Sequence, residues 1–181
     1  MADFLTITEN YIKKQGIITE NVDSTYVRPT IIFVQDEYMH PILGTDLFNE
    51  IKEQIIAGTV SAANQTLLND HILKVMLWYC KSAMTYDVNY KYMNKGVMSK
   101  NSENSNPVDL STAKTLMDEW RSRAEMYSER CTRFLKANTD TYPLYCANTD
   151  CDDIKPNKSN YTTGIYLGDD ECDEFNIRTD R

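Results

Sequence analysis

Apolar residues recur along most of the chain at the three- and four-residue spacing of an amphipathic helix, whereas strand-like alternation is scarce. The last stripe is the most regular, with apolar residues at 113, 117, 120, 124, 127, 131 and 134. The pattern predicts helices over five stretches, about 8–15, 28–40, 45–58, 66–91 and 107–137. The predicted fold class is therefore mainly α: a bundle of four to five helices with a long C-terminal helix and an extended C-terminal arm.

Proline and glycine mark the predicted helix boundaries. Pro29 suits a first helical turn. Pro41 lacks an N–H and disfavours helical geometry at His40, so the second helix is expected to stop there. Gly44 can take a positive φ, and Thr45 suits the N-cap of the third helix. A structural corner is therefore expected at Pro41, Ile42, Leu43 and Gly44.

The helical period fails beyond residue 137, which divides the chain into a helical domain, 1–137, and an extended acidic arm, 138–181. The arm favours one short strand, around 161–167. Such a segment buries too little apolar area to offset its own ordering entropy, so we expect it to lie on another subunit or partner. Tyrosines in extended segments are common anchors of protein interfaces. The expected anchors are Tyr142, Tyr145, Tyr161 and Tyr166.

The charge of the chain limits its partners. Its 181 residues carry a net charge of −8, and the arm alone holds ten acids against four bases. An acidic chain does not displace counterions from phosphates, which argues against a sequence-specific DNA-binding protein. A surface along which DNA slides without sticking remains compatible with this charge. No apolar run approaches the length of a membrane span, and the N-terminus lacks a secretory pattern, so synthesis in a cytoplasm is expected.

The cysteines and histidines offer little for catalysis. Five cysteines cannot all pair within the chain, and a reducing compartment would keep them as thiols, with Cys80 and Cys131 as small core residues. The tail cysteines lack CxxC pairs, and no histidine accompanies them to complete a zinc site. The tail cysteines are Cys146, Cys151 and Cys172.

Glu37 and His40 share one helical face at a spacing that provides two ligands in di-metal carboxylate bundles. That site requires a second such pair, but the other histidine, His71, has Leu68 three positions before it. We therefore expect the pair to be surface or interface residues, and His71 to be structural. The chain also lacks phosphate-cradling glycine motifs. No cofactor or catalytic residue is predicted; the alternative is a small helical metal-binding protein or enzyme that uses Glu37, His40, His71 and the tail cysteines.

The segment RPTIIFVQDEYMHPILGTDLFNEI, residues 28–51, resembles the signature of the head–tail connector proteins of tailed phages, which form adaptor rings beneath the portal. That signature is a helix, a Pro-Ile-Leu-Gly corner, and a helix that opens with Leu and an aromatic residue. The matching positions are Tyr38, Pro41, Ile42, Leu43, Gly44, Leu47, Phe48 and Ile51. The sequence NKGV at 94–97, the long last helix and YP at 142–143 follow in the family's order. The resemblance covers roughly residues 4–145 and is strongest to adaptors of crAss-like gut phages.

The resemblance implies a helical bundle that assembles as a ring, typically dodecameric, on the portal protein and beside other tail or ring proteins. DNA would pass through the ring without specific binding, and no catalytic residue, cofactor or membrane is implied. The protein would be located in the virion, at the head–tail interface, after assembly in the cytoplasm of the bacterial host. The corner at 41–44 would set the angle between two helices. The loop expected to meet a neighbouring subunit or line the channel contains Lys95, Gly96, Val97 and Lys100.

Overall fold

The computed structural model describes residues 4–15, 22, 24–93, 96–99, 109–147 and 154–156. Within these ranges the chain is mainly helical, which confirms the predicted fold class. The α-helices are α1 Glu9–Lys14, α2 Ser24–Val34, α3 His40–Leu43, α4 Thr45–Ala57, α5 Ala62–Leu67, α6 Leu73–Asn89 and α7 Leu110–Ala137. The other elements are π-helical turns at Gln35–Met39 and Leu68–Ile72, a 3-10 turn at Pro143–Tyr145, and strands β1 Tyr90–Met93 and β2 Gly96–Ser99.

α2, the first π-helical turn and α3 follow one another without a break, so the helix does not stop at Pro41 as predicted. In a π-helical turn the backbone is wider than in an α-helix, and such turns relieve local sequence conflicts. Pro41 is the second residue after this turn and lies in the first turn of α3, where a missing N–H is tolerated. The predicted start is also wrong, because α2 begins at Ser24 and encloses Pro29.

The continuous helix ends at Gly44, whose φ of 77° lies in the left-handed region that glycine adopts without steric cost. α4 begins at the next residue and ends at Gly58, which also has a positive φ, of 68°. Thr45 is therefore the first residue of α4 rather than its N-cap. The helix direction consequently changes at one glycine, and the side chain of Thr45 is available for other contacts.

α5, the second π-helical turn and α6 form the second long helical stretch, close to the predicted one. Ser61 caps it by accepting a hydrogen bond from the Asn64 N–H at 3.2 Å. α7 is capped by Asp109, which accepts from the Ser111 N–H at 3.3 Å. Its 28 residues correspond to a length of about 42 Å. The predicted cap of this helix, at 106–107, lies outside the described residues.

The core is centred on α6, which packs against α7 on one side and α2 on another. α7 contributes small residues to it, including Ala113, Ala124 and Cys131, so the two long helices can approach closely. Each fully buried large aliphatic side chain contributes about 1.5–3 kcal/mol. The largest fully buried side chains are Tyr145, Ile7, Ile12, Ile31, Met39, Leu43, Leu47, Ile51, Leu67, Ile72, Met76 and Leu135.

A short antiparallel hairpin extends from the end of α6. Tyr90 pairs with Ser99, and Met93 pairs with Gly96. The sequence predicted a loop or hairpin from residue 94 onward, and the structure begins the hairpin four residues earlier, where the helix was expected to continue. Of the residues expected to meet a neighbour or line a channel, Gly96 and Val97 lie in β2, whereas Lys95 and Lys100 lie outside the described residues.

Candidate interaction site

An open groove lies where α2, α6 and α7 meet. Its volume is about 430 Å3. Among the described residues, its walls combine aromatic, small and apolar side chains with one arginine. We call it the aromatic groove; it is lined by Pro29, Thr30, Phe33, Tyr38, Tyr79, Ser82, Ala83, Met117 and Arg121.

Three aromatic rings and a guanidinium group form the centre of the aromatic groove. Tyr38 stacks on Tyr79 with 4.0 Å between ring centroids and 9° between ring planes. The Phe33 ring packs edge-to-face against Tyr38, with 6.3 Å between the ring centroids. The Arg121 guanidinium carbon lies 6.0 Å from the Tyr38 centroid. Phe33 is 52% exposed, so the groove presents an apolar ring to solvent while the tyrosine pair supports it.

A hydrogen bond between α6 and α7 fixes the arrangement of the groove walls. The Ser82 hydroxyl on α6 donates to the Met117 carbonyl oxygen on α7 at 3.0 Å, which ties the two helices together at the groove. Burial, then the charge of Glu125 and the nearby Tyr38, raise the pKa of Tyr79 to about 12. Tyr79 is therefore neutral at physiological pH, and the stacked pair offers an uncharged aromatic surface.

Arg121 is a charged side chain in the groove wall. Its Nε lies 3.3 Å from Oε1 of Glu125, and both side chains are about half exposed. Ion pairs exposed to this degree contribute about 0–1 kcal/mol, so this pair can exchange for another carboxylate at little cost. Aromatic and arginine side chains are the residue types most enriched among binding hot spots. The groove is therefore suited to bind an apolar or aromatic segment with acidic neighbours.

The corner at Gly44 makes a second set of contacts, with the arm. The Thr45 N–H donates to the Ile154 carbonyl oxygen at 3.0 Å, and the Ile154 N–H donates to Thr45 Oγ1 at 2.9 Å. The Pro156 ring lies against Gly44, where an added Cβ would be only 2.7 Å from the ring. A segment of the arm is thus held on the corner by backbone pairing and by the absence of a side chain at Gly44.

The two histidines have structural surroundings. His40 Nε2 lies 2.9 Å from Thr45 Oγ1, and the imidazole stacks on Phe48 with centroids 4.7 Å apart. His71 stacks on Phe134 with centroids 4.2 Å apart. Burial lowers the pKa of His71, with smaller opposing effects of its charged neighbours. Glu37 is exposed. In the part of the chain that the structure describes, no group of three or more His, Cys, Asp or Glu side chains is placed to hold a metal ion.

The cysteines do not all conform to the prediction. Cys80 and Cys131 are buried free thiols, as expected. Cys146 is disulfide-bonded, so the expectation that every cysteine is a thiol is wrong for this residue. An odd number of cysteines and the redox conditions of a compartment do not determine whether one cysteine is paired. A disulfide depends on whether the chain brings two sulfur atoms together.

Tyr142 and Tyr145, expected to anchor the arm on a neighbouring subunit, lie in the core of their own chain. They are 4% and 0% exposed. The Tyr142 Oη donates to the Ala63 carbonyl oxygen at 2.8 Å, which joins the segment after α7 to α5. The compact part of the chain therefore extends beyond the expected boundary at 137/138, to at least 145. The other two expected anchors, Tyr161 and Tyr166, lie outside the described residues.

A further, half-buried cluster lies along α6 and α7 and contains both tryptophans of the chain. The Lys81 Nζ lies 4.5 Å from the Trp120 ring centroid and 5.4 Å from that of Trp78. The Arg123 guanidinium carbon lies 5.2 Å from the Trp78 centroid, and Arg123 also forms an ion pair with Glu119. These cations already occupy the tryptophan faces, so this cluster is less open to a ligand than the aromatic groove.

Sequence reasoning found some of the groove residues but not the groove. Met117 lies on the predicted apolar stripe of the last helix, and Tyr38 belongs to the signature at residues 28–51, whereas Phe33 and Arg121 were not singled out. A large aromatic residue outside the stripe of its helix, as Phe33 is in α2, was the available signal. The contact between Thr45 and Ile154 left no signal, because no local pattern links residues 109 positions apart.

Comparison with known proteins yields one match. A family model matches residues 39–155, from the end of the first π-helical turn to the arm segment on the corner, and describes a family of unknown function, DUF6712. Searches of curated proteins and of solved structures found no match to the chain. No helix among the described residues is long and apolar enough to cross a membrane.

Proposed function

We propose, for a chain that belongs to the DUF6712 family of unknown function, the role of a structural virion protein. In this role it forms an adaptor ring between the portal and the tail of a phage and provides a channel for DNA. Its partners are further copies of itself in a closed ring, such as a dodecamer, together with the portal protein and other tail or ring proteins. It carries out no catalysis.

The observation that carries this proposal is the helix–corner–helix unit at residues 28–51. Its sequence resembles that of head–tail connector proteins, as described above. Its geometry suits an architectural role, because one glycine ends a continuous helix and α4 starts at the next residue. The corner also holds Ile154 and Pro156, so it positions the arm as well as two helices.

The charge of the protein supports a channel function. A net charge of −8 leaves no surplus of lysine and arginine to bind the phosphates of passing DNA. The aromatic groove supports an assembly role, since it offers an exposed surface of residue types that are enriched at binding hot spots. The arm of one subunit would extend onto an adjacent subunit or another ring. The protein would enter the virion at the head–tail interface, after assembly in the cytoplasm of the bacterial host.

Electron cryo-microscopy of intact particles tests this proposal directly. We expect density for this chain as a closed ring against the portal, and mass spectrometry of purified particles should find the protein at a fixed ratio to the portal protein. Absence of the protein from purified particles would exclude the proposed role. Metal analysis of the purified protein provides a second test, because a stoichiometric bound metal would favour a metal protein or enzyme instead.

A further inference from the structure

We infer that the aromatic groove binds the last segment of the chain, residues 157–181, of a neighbouring copy. This inference rests on the proposed function, because it requires copies that stand side by side in a ring. It identifies the surface through which one subunit would bind the next. It also assigns a role to the exposed aromatic groove.

The groove has the form of a binding surface rather than of an incomplete core. Tyr79 is 7% exposed and is held by stacking on Tyr38, whereas Phe33 on the same wall is 52% exposed. Ser82 and Met117 tie the walls together by a hydrogen bond. A ligand would therefore meet a prearranged surface and would bind without a large cost for ordering it.

The length of the chain allows the contact. Pro156 lies against Gly44 at the corner, and 25 residues follow it. At about 3.3 Å per extended residue these can span roughly 80 Å. A compact body of about 150 residues has a radius of gyration of about 15 Å, so its diameter is roughly 40 Å. The segment is thus long enough to cross from the corner of one subunit to the groove of the next.

The composition of the segment complements the groove. Residues 161–167 read YTTGIYL and supply aromatic and aliphatic side chains for the apolar wall. An acidic run follows at 169–174, and the whole segment holds six acids against three bases. Arg121 lies beside the tyrosine pair and forms an exposed ion pair with Glu125. The apolar stretch is therefore complementary to the apolar wall of the groove, and the adjacent carboxylates are complementary to Arg121.

A ring makes this contact effective even if each one is weak. A segment tethered next to its groove acts at an effective concentration in the millimolar range, so modest affinity suffices for occupancy. Each subunit would then be held by one neighbour and would hold the other. Such a head-to-tail contact is of the heterologous kind that closes into rings.

Photo-crosslinking of the full-length protein tests the inference. Phe33 is replaced by p-benzoylphenylalanine, and the same photoreactive residue at Ile56 provides the control, because Ile56 is 66% exposed on α4 and does not line the groove. The buffer contains no reductant, so that the disulfide of Cys146 stays intact, and it contains a synthetic peptide of residues 157–181 with Cys172→Ser. We expect links from position 33 that join two chains, or a chain to the peptide, and that map to residues 161–174 by mass spectrometry.

Binding of the fluorescently labelled peptide to full-length variants gives a second measurement. Phe33→Ala should weaken binding at least about tenfold, since it removes the exposed ring of the groove. Arg121→Ala should weaken it about fivefold and reduce its dependence on salt. Ile56→Ala should leave binding unchanged. All three side chains are exposed, so these variants are expected to fold.

Three results would overturn the inference. Crosslinks confined to a single chain would show that the segment binds the groove of its own chain. Equal crosslinking from positions 33 and 56 would show contact without specificity. Absence of crosslinks from position 33 would show that the segment does not bind the groove. These outcomes are separate from the proposed virion role. A ring seen on particles with no link at position 33 would refute only the groove contact, whereas peptide binding by a protein absent from particles would refute only the role.

Discussion

Gly44 and Gly58 both have a positive φ, of 77° and 68°, but they differ in ψ and in their surroundings. The ψ of Gly44 is 160°, and that of Gly58 is 20°. A Cβ at Gly44 would lie 2.7 Å from the Pro156 ring, whereas a Cβ at Gly58 would have no heavy atom within 4 Å. A side chain at Gly44 therefore meets both a less favourable backbone conformation and the close contact with the arm.

We predict that Gly44→Ala destabilises the protein more than Gly58→Ala. Gly58→Ala forces an L-residue into the left-handed region, at a cost of about 1–2 kcal/mol. Gly44→Ala forces one into a conformation of positive φ and extended ψ that is essentially restricted to glycine, at a cost of about 1–3 kcal/mol. Gly44→Ala also displaces Pro156 and weakens the pairing of Thr45 with Ile154, which should add about 1 kcal/mol or more. Urea unfolding followed by circular dichroism measures both. Equal losses in the two variants would contradict this prediction.

Cys80 and Cys131 link stability to alkaline pH. Burial raises the pKa of each thiol to about 12, from an ordinary value of 9.0. The unfolded chain therefore releases these protons at a lower pH than the folded chain does. Their stabilising effect is complete below pH 9 and is lost as the pH rises toward 12.

We predict that the free energy of unfolding falls above pH 9 with a slope of about 1.4 kcal/mol per pH unit for each of the two thiols. Urea unfolding at pH 8, 9.5 and 10.5 measures this slope. The matched control is the double variant Cys80→Ala, Cys131→Ala, which should be less stable at pH 8 but show a shallower slope. Identical slopes in the two proteins would contradict the assignment. Tyr79, with its pKa raised to about 12, contributes a further loss above pH 10 in both.

The close packing of α6 and α7 depends on small residues in α7. Ala124 is fully buried there, whereas Ser122, two positions earlier, is exposed. We predict that Ala124→Leu destabilises the protein by about 1–3 kcal/mol, because the added atoms overpack the core. Ser122→Leu should change stability by less than about 0.5 kcal/mol. Thermal and urea unfolding measure both, and similar effects at the two positions would mean that α7 can move away from α6 at no cost.

The end of the first long helix was not predicted correctly from the helix preferences of single residues. The rule that proline ends a helix failed at Pro41, because a π-helical turn precedes it and carries it into the first turn of α3. The helix instead ended at the residue whose conformation only glycine adopts freely, Gly44. The helical period was read correctly through both π-helical turns, since a single wide turn shifts the apolar stripe without ending it.

The whole protein is acidic, and this property has its own test. We predict that duplex DNA binds it with a Kd above about 10⁻⁴ M at low salt, because the chain cannot release counterions from phosphates. A mobility-shift assay at 50 mM salt, with a basic DNA-binding domain of similar size run in parallel, measures this. Binding that weakens steeply with added salt would reveal a local basic surface and would argue against a channel past which DNA slides.

The family match extends the compact unit toward the arm. It covers residues 39–155 and so spans the corner, α4 to α7, Tyr142 and Tyr145, and most of the described arm segment. The buried tyrosines explain why a boundary at 137/138 does not separate two independent parts. Tyr142 reaches the carbonyl of Ala63, so the chain after α7 completes the body before it returns to the corner.

Local periodicity and charge were sufficient to predict the helices, the mainly α fold and the buried thiols Cys80 and Cys131. These properties depend on which residues avoid water, and the spacing of apolar residues carries that information directly. The aromatic groove and the contact of Thr45 with Ile154 came only from the tertiary structure. The groove brings together side chains of different helices, and the second contact joins residues 109 positions apart. Packing selects both from many possible pairings. An apolar stripe shows that a helix has a partner, but only the assembled core decides which partner it is and which surfaces remain open.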